Sequence, residues 1–401
     1  MELSDIRTLI DFYHSKLSQV STEFKRYLYP KINWDSRVIG IMGERGVGKT
    51  TMLLQRIKDK FSNPDETFYI SLDHYWFQTH TLQDLIKFLY ARGITEFYID
   101  EVHKYENWSI ILKNLYDQYG DLRIIYTGSS MLEIENSKVD MSRRQTVYTL
   151  KGMSFREYLE YEKLLKTDPL DLDILLKQHS GIASDISGKI KILKHFQDYL
   201  HHGIYPFYKE AGDDFISRLH NVINLVVESD LPAVEKVTWP TIERCKKLFT
   251  IISENVPLQP NIDKLATSMG TTRDTLLKLL YKLDMAQILE LLTVELKNYK
   301  RLVKPEKIYL GNTNIMYAFT PDINIGTLRE TFFADQLSTI GSVQISPKGD
   351  FLIDGKYTFE VGGDGKDFGQ IANIPDSYLA VDNTEMGYGA RIPLWMFGLL
   401  Y

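Results

Sequence analysis

Residues 43–50 read Gly43-Glu44-Arg45-Gly46-Val47-Gly48-Lys49-Thr50, after the apolar run Val38-Ile39-Gly40-Ile41-Met42 and before Thr51-Met52-Leu53-Leu54. The order is strand, glycine-rich loop, helix start, and the loop completes the pattern G-x-x-x-x-G-K-[ST]. Glycines let backbone N–H groups curve around a phosphate with no Cβ in the way. The start of the following helix adds partial positive charge. In this pattern the lysine, Lys49, reaches the β- and γ-phosphates, and the hydroxyl of Thr50 goes to Mg²⁺. Gly43, Glu44, Arg45, Gly46, Val47, Gly48, Lys49, Thr50 and Thr51 are the expected nucleotide-binding set.

The 401 residues exceed one ordinary core, since domains run to about 100–200 residues. An apolar content of 44% and a charged content of 25% describe an ordinary globular chain. A net charge of −6 argues against wholesale coating of nucleic acid but leaves room for a local basic face. Cys245 is the single cysteine, so no internal disulfide can form. With an acidic N-terminus, Met1-Glu2-Leu3-Ser4-Asp5, that lacks a signal-peptide pattern, a cytoplasmic location is expected. No stretch approaches the ~20 apolar residues of a membrane span, so no membrane association is expected.

Residues 3–28 carry apolar side chains near helical spacing (Ile6, Leu9, Ile10, Phe12, Tyr13, Leu17) and are expected to lead as a helix into the nucleotide domain. Strand-like runs follow at 37–42, 67–72, 96–100, 122–127 and 146–150. Helical stretches separate most of them, the signature of a parallel sheet covered on both faces. The third run ends Phe97-Tyr98-Ile99-Asp100-Glu101. An apolar strand delivering an acidic pair at its C-terminal end is the Walker B arrangement. Asp100 is expected to hold Mg²⁺, and Glu101 to orient and deprotonate the attacking water. The fourth run leads into Thr127-Gly128-Ser129-Ser130. Ser129 is the expected polar sensor of the γ-phosphate, with Thr127 and Ser130 as alternates and a plain polar turn as the structural alternative. Arg143 and Arg144 precede the fifth run. One of them is expected to act as an arginine finger in a neighbouring subunit of a homo-oligomer, unless both are merely solvated. His103 and Trp108 are expected to belong to the helix beside the sheet rather than to touch substrate.

Four segments carry a more specific resemblance: residues 41–53, Tyr98-Ile99-Asp100-Glu101-Val102-His103-Lys104-Tyr105-Glu106-Asn107-Trp108, Thr127-Gly128-Ser129-Ser130, and Leu150-Lys151-Gly152-Met153-Ser154-Phe155-Arg156-Glu157-Tyr158. They resemble a family of prokaryotic AAA-type ATPases that pair the ATPase with a C-terminal domain of unknown function, DUF4143. The likeness is strongest over residues 30–160 and weakens after 320. It implies an AAA+ sheet order, with the sensor strand between the two Walker strands.

Beyond residue 153 the pattern is mostly helical up to 235. Ser154 and Glu157 have capping-box spacing. Residues 178–189, with Gly181 and Gly188, read as a linker or exposed loop. His201-His202-Gly203 should end a helix, and neighbouring histidines on one helix do not face a common metal. Helix-like stretches at 242–254, 261–269 and 273–283, with Gly270 in the second turn, have a helix-turn-helix rhythm suited to reading DNA or contacting protein. From Lys236 to Lys307 there are 13 Lys or Arg against 8 Asp or Glu, an ordinary excess. Farther on, Asp350 and Glu360 lie at strand-like runs in an outline resembling a restriction-endonuclease core. Members of the resembled family end this strand Glu-Val-Lys, whereas this chain has Glu360-Val361-Gly362. With no lysine at 362, and with Glu330 as a helix-borne ligand and Lys366 folding back only conjectures, nuclease activity is not expected. The apolar tail 391–401 should pack as a last strand or helix.

The expected fold class is α/β. A P-loop AAA+ parallel sheet (1–153) precedes a helical lid region (154–235), a winged-helix-like domain (236–307) and a degenerate nuclease-like domain (308–401). The expected function is Mg²⁺-dependent binding and hydrolysis of ATP, coupled to the C-terminal domains. ATP is preferred because no Asn-Lys-x-Asp guanine-reading motif occurs. The alternative is a nucleotide-gated binding module, on DNA or protein, with slow turnover.

Overall fold

The computed structural model describes residues 1–128, 141, 143–231, 239–254, 259–294 and 303–401, with the side chains of 230 and 254 left aside. The chain divides into two compact units, Met1–Lys151 and Gly152–Tyr401.

The first unit is built on five parallel strands. They are β1 (Val38–Gly43), β2 (Phe68–Ser71), β3 (Glu96–Asp100), β4 (Arg123–Gly128) and β5 (Thr146–Leu150), in the order β2-β3-β4-β1-β5. All five runs read from the sequence are strands, and β4 lies between the two strands that carry the Walker motifs. Strands β1, β2 and β3 are buried along their whole lengths, as expected of parallel strands covered on both faces. The covering helices are α1 (Arg7–Gln19), α2 (Lys49–Lys60), α3 (Leu82–Tyr90) and α4 (Trp108–Gln118). Helix α2 turns Met52, Leu53, Leu54 and Ile57 into the core. Thr81 caps α3 by accepting from the Asp84 N–H. All strands run the same way, so their C-terminal ends, and the loops after them, gather at one edge. In open α/β sheets that edge is where ligands bind.

The second unit opens with α5 (Phe155–Tyr161), whose capping box joins Ser154 and Glu157 as the spacing predicts. The stretch at 178–189, expected as a loop, is instead mostly helical, within α6 (Leu172–Ser187). Its apolar residues are decisive: Leu175, Leu176, Ala183 and Ile186 are buried at helical spacing, and Asp171 caps the N-terminus. Gly181 faces open space, so it costs the helix only about 1 kcal/mol. Helix α7 (Ile192–His202) stops at Gly203, and α8 (Tyr208–Ala211) and α9 (Phe215–Leu225) follow. Next come α10 (Trp239–Glu254), α11 (Ile262–Ser268) and α12 (Arg273–Met285), with Gly270 at φ 58° between the last two. Leu276, Leu279, Leu280 and Leu283 of α12 are buried. Strands β6 (Leu289–Leu292) and β7 (Lys307–Leu310) pair antiparallel.

A mixed sheet completes this unit: β8 (Val343–Ile345), β9 (Phe351–Ile353), β10 (Tyr357–Gly362), β11 (Ser377–Val381) and β12 (Arg391–Pro393), in the order β12-β11-β10-β9-β8. Before it in sequence come α13 (Thr313–Phe319) and α14 (Ile325–Ser338). Phe333 of α14 packs its ring about 5 Å from those of Phe351, Phe359 and Phe397. The tail forms β12 and a short 3-10 turn, with Trp395, Met396 and Phe397 buried.

Gly43 joins β1 to the loop under a double constraint. Its φ is 151°, and a Cβ there would fall 2.2 Å from the Leu150 carbonyl oxygen on β5. Gly43→Ala should therefore lower the stability of the first unit by about 1–3 kcal/mol and weaken nucleotide binding. Thermal unfolding followed by circular dichroism, with and without nucleotide, checks both effects.

Candidate functional site

The loop after β1 is shaped by its glycines. Gly46 and Gly48 have φ of 84° and 98°, where a side chain would be strained. Gly48 is the N-cap of α2 and offers no side-chain cap, so the backbone amides of the first turn face the loop rather than a capping group. Arg26 braces the loop: its guanidinium donates to the Val47 carbonyl and, at 2.7 Å, to the Lys151 carbonyl. Val47 itself is fully buried and contributes backbone, and Thr51 is exposed on α2. Lys49 is buried and turns back across the loop, donating to the carbonyls of Gly43 (2.8 Å) and Glu44 (2.6 Å). Burial pulls its ammonium down to about 8, against the opposing pull of Glu101 and Asp100.

Asp100, at the end of β3, is buried and receives hydroxyls from several elements. Its Oδ2 accepts from Thr50 (2.7 Å) at the start of α2 and from Tyr69 (2.8 Å) on β2. Its Oδ1 accepts from Thr127 on β4. Burial, then the charge of Glu101, raises the Asp100 carboxyl above the ordinary range, and the hydroxyl donors pull the other way. Glu101 has the left-handed φ of 56° and donates its backbone N–H to Thr127 Oγ1 at 3.3 Å. Its carboxylate Oε2 lies 3.4 Å from His103 Nε2, and an Arg45 guanidinium nitrogen lies 3.5 Å from that same nitrogen.

These oxygens fit Mg²⁺. One carboxylate and one hydroxyl, in hydrogen-bond contact, are a hard and sparse donor set that leaves room for phosphate and water ligands, as Mg²⁺ prefers. Thr50 and Asp100 are the residues that would hold it. The glycine loop and Lys49 fit a polyphosphate by the same chemistry.

Ser129 and Ser130 lie outside the described residues. Thr127 touches both members of the acidic pair from a fully buried position on β4. Arg144 forms a two-pronged ion pair with Asp117 (2.9 and 3.0 Å). Arg143 is exposed. His103, expected in the helix beside the sheet, lies instead in a 3-10 turn, Val102–Lys104, against Glu101, whereas Trp108 is the first residue of α4 as expected. Sequence reasoning missed Tyr69 entirely, because nothing marks a tyrosine in a buried strand as a carboxylate partner. His103 did carry a signal, its place two residues after the acidic pair.

In the second unit Lys307 Nζ lies 3.3 Å from Glu330 and 3.4 Å from Asp350. Tyr309 donates to the same Glu330 oxygen, and Asp350 accepts the Val361 N–H at 2.9 Å. Lys366 pairs with Glu360 at 2.5 Å. The expectation that Gly362 leaves this place without a cation is corrected. The stem of Lys366 lies where a Cβ on Gly362 would sit, 2.8 Å from its Cγ, so the missing side chain makes room for a lysine arriving from position 366. Burial raises the carboxyls of Glu330 and Glu360. Among the described residues no three acidic, His or Cys side chains converge to hold a metal. Cys245 is buried, and burial pushes its thiol up to about 12.

Comparison with known proteins agrees with the geometry of the first unit. Residues 35–159 match the AAA domain family, and residues 193–325 match a domain of unknown function, DUF8612. Residues 35–159 are thus similar to an AAA domain, and the first unit has the fold of a P-loop ATPase. The C-terminal match overturns the expected DUF4143. An uncharacterized protein of Methanocaldococcus jannaschii is 27% identical over 299 residues, covering 68% of this chain and 62% of that protein. The chain therefore spans less than two thirds of that relative. Among solved structures, a Walker-type ATPase of Pyrococcus abyssi is similar at a TM-score of 0.44 and 11% identity, over 74% of this chain and 95% of its own. AMPPCP-bound DnaA from Aquifex aeolicus is a more remote likeness, at a TM-score of 0.27 and 13% identity, over 64% and 84%. No helix among the described residues is long and apolar enough to cross a membrane.

A pH dependence follows if Lys49 meets the phosphates. Its buried ammonium is held near 8 in the free protein. Its charged form predominates below that pH and is lost above it. ATP binding measured without divalent metal should be flat from pH 6.5 to 7.5 and weaken up to about tenfold per unit above 8. Lys49→Arg, which stays charged, should lack the slope. Calorimetric titrations across this range read both.

Proposed function

We propose that the first unit binds ATP with Mg²⁺, hydrolyses it, and passes its nucleotide state to the second unit. The observation that carries this reading is the 2.7 Å hydrogen bond between Thr50 and Asp100. It joins the start of the phosphate loop's helix to the end of the acidic strand, the juxtaposition a Mg²⁺–nucleotide needs.

Lys49 exchanges the carbonyls of Gly43 and Glu44 for β- and γ-phosphate oxygens. The backbone N–H groups of residues 44–51 wrap the phosphates. The metal, when bound, neutralises charge on the phosphate oxygens. Thr50 and Asp100 would hold it. Glu101 positions the attacking water and takes its proton. Thr127 is the described candidate for the sensor of the γ-phosphate. Of the two candidate fingers, Arg143 is favoured, because Arg144 is already committed to Asp117. Arg143 would complete the site of a neighbouring copy in a homo-oligomer. The helices α10–α12 and the antiparallel pair β6–β7 support reading this segment as winged-helix-like, with a protein or DNA partner.

A second reading, a nucleotide-gated binding module with slow turnover, is favoured by one observation. The Glu101 carboxylate lies against His103, which also meets Arg45. Steady-state ATPase rates with and without duplex DNA separate the two readings.

Glu101→Gln should bind Mg·ATP close to wild-type affinity and hydrolyse it at least about 100-fold more slowly, the usual weight of a general base. Single-turnover hydrolysis with calorimetric binding tests this. A loss of affinity with hydrolysis per bound ATP unchanged would give Glu101 a binding role instead.

Arg143→Ala should lower turnover about 10³-fold with ATP binding intact, and wild-type turnover should rise with protein concentration. Arg144→Ala should leave turnover near wild type and lower thermal stability only slightly, since it removes a solvent-screened ion pair at the surface. Equal turnover defects in both variants would remove the assignment.

A further inference from the structure

We propose that Tyr69 is a positioning residue for the metal site. Its hydroxyl holds the Asp100 carboxylate, and its ring is fixed by helix α1. The inference rests on the reading of Thr50 and Asp100 as the residues that hold Mg²⁺.

The sheet register explains why a tyrosine is needed. In the parallel pair β2–β3, Tyr69 stands opposite Tyr98 and Ser71 opposite Asp100. Tyr98 and Asp100 are two residues apart and point to the same face. Tyr69 therefore shares that face with Asp100 but sits one diagonal step away. A serine or threonine at 69 would fall short of that step. A phenol spans it and places its oxygen 2.8 Å from Asp100 Oδ2. This is the oxygen that also accepts from Thr50 at 2.7 Å. Thr127 takes the other oxygen. Tyr69 and Thr127 thus grip the carboxylate from the two neighbouring strands, while Thr50 meets it from the nucleotide side.

The ring has little freedom. Tyr69 is 2% exposed. Its face stacks on Phe12 (centroids 6.4 Å apart, planes at 23°) and Tyr13 (6.3 Å, 29°), both on α1. Tyr13 is anchored in turn by a 3.0 Å hydrogen bond from its hydroxyl to the Pro64 carbonyl. With the ring clamped in this way, the hydroxyl is already aimed at Asp100 before any ligand arrives. A carboxylate held in advance does not have to be ordered when the metal binds, and that is the gain preorganisation brings to a site. The N-terminal helix, outside the strand–loop–helix core of the phosphate motif, is by this route part of the metal site's support.

Tyr69→Phe keeps the ring and removes only the hydroxyl. The experiment titrates the full chain with the nonhydrolysable analogue AMPPCP, first in EDTA and then at stepped Mg²⁺. The expected result is a split. Affinity in EDTA stays within about twofold of wild type, and the Mg²⁺ concentration giving half of the metal-dependent gain rises about tenfold, the loss of one hydrogen bond to a charged group. Mn²⁺ uptake by the protein–nucleotide complex, read by EPR as disappearance of the free-ion signal, should weaken to the same degree. Superimposable Mg²⁺ curves would overturn the proposal. So would an equal loss of affinity with and without metal, since that is what a purely structural tyrosine would give. A wild-type protein that binds AMPPCP with no gain from Mg²⁺ would sink the metal reading itself, and this proposal with it. Should Tyr69→Phe not fold, Phe12→Ala, which leaves the hydroxyl and loosens the ring, should move the Mg²⁺ midpoint upward about threefold. An unmoved midpoint in that variant would count against the proposal equally.

Discussion

The arrangement depends on one buried carboxylate. Asp100 is removed from water at the end of β3, and its charge is tolerable only because hydroxyls from α2, β2 and β4 converge on it. Those donors come from segments far apart in sequence. They meet because the strands lie parallel in the order β2-β3-β4-β1-β5, with the C-terminal ends together. A one-residue slip between β3 and either neighbour would turn Tyr69 or Thr127 to the opposite face and leave the carboxylate underpaired. The apolar core of this unit therefore sets the register, and the register builds the site.

The same edge accounts for Lys49. A buried ammonium is costly alone, and here it is satisfied by two carbonyls of its own loop. The loop can offer those carbonyls because Gly43, Gly46 and Gly48 take backbone conformations that other residues avoid. Backbone strain recurs next to the chemistry: Glu101 is held at φ 56° with its N–H on Thr127. Strain of this kind persists only where the surroundings support it, and here the hydroxyl that accepts the Glu101 N–H also donates to Asp100.

Much of the first unit was legible in the sequence, because each strand is a short apolar run and the phosphate loop has a fixed pattern. The positions of Lys49, Thr50, Asp100 and Glu101 follow from that. Contacts made from neighbouring strands were not legible. Thr127 could be named as an alternate sensor, but that it and Tyr69 reach Asp100 follows from strand register, which a linear pattern does not encode. In the second unit the helices and strands around Asp350 and Glu360 could be read, but residues 178–189 could not. They combine glycine and serine with buried apolar spacing, and packing overrode the loop-like composition. Lys366 could be named only as a conjecture, and it does reach Glu360 across Gly362, a substitution in space rather than in sequence. The carboxylates there are taken up by Lys307 and Lys366, which gives that cluster the character of a buried ion-pair network.

The central claim is that the loop of residues 43–51 and Asp100 together form a Mg²⁺–ATP site. Calorimetric titration of ATP into the wild-type chain and into Lys49→Ala, each with Mg²⁺ and with EDTA, addresses it most directly. Wild-type binding should be tight and strengthened by Mg²⁺, and Lys49→Ala should lose at least about 100-fold, close to 3 kcal/mol, under both conditions. Equal affinity of the two proteins for ATP would contradict it.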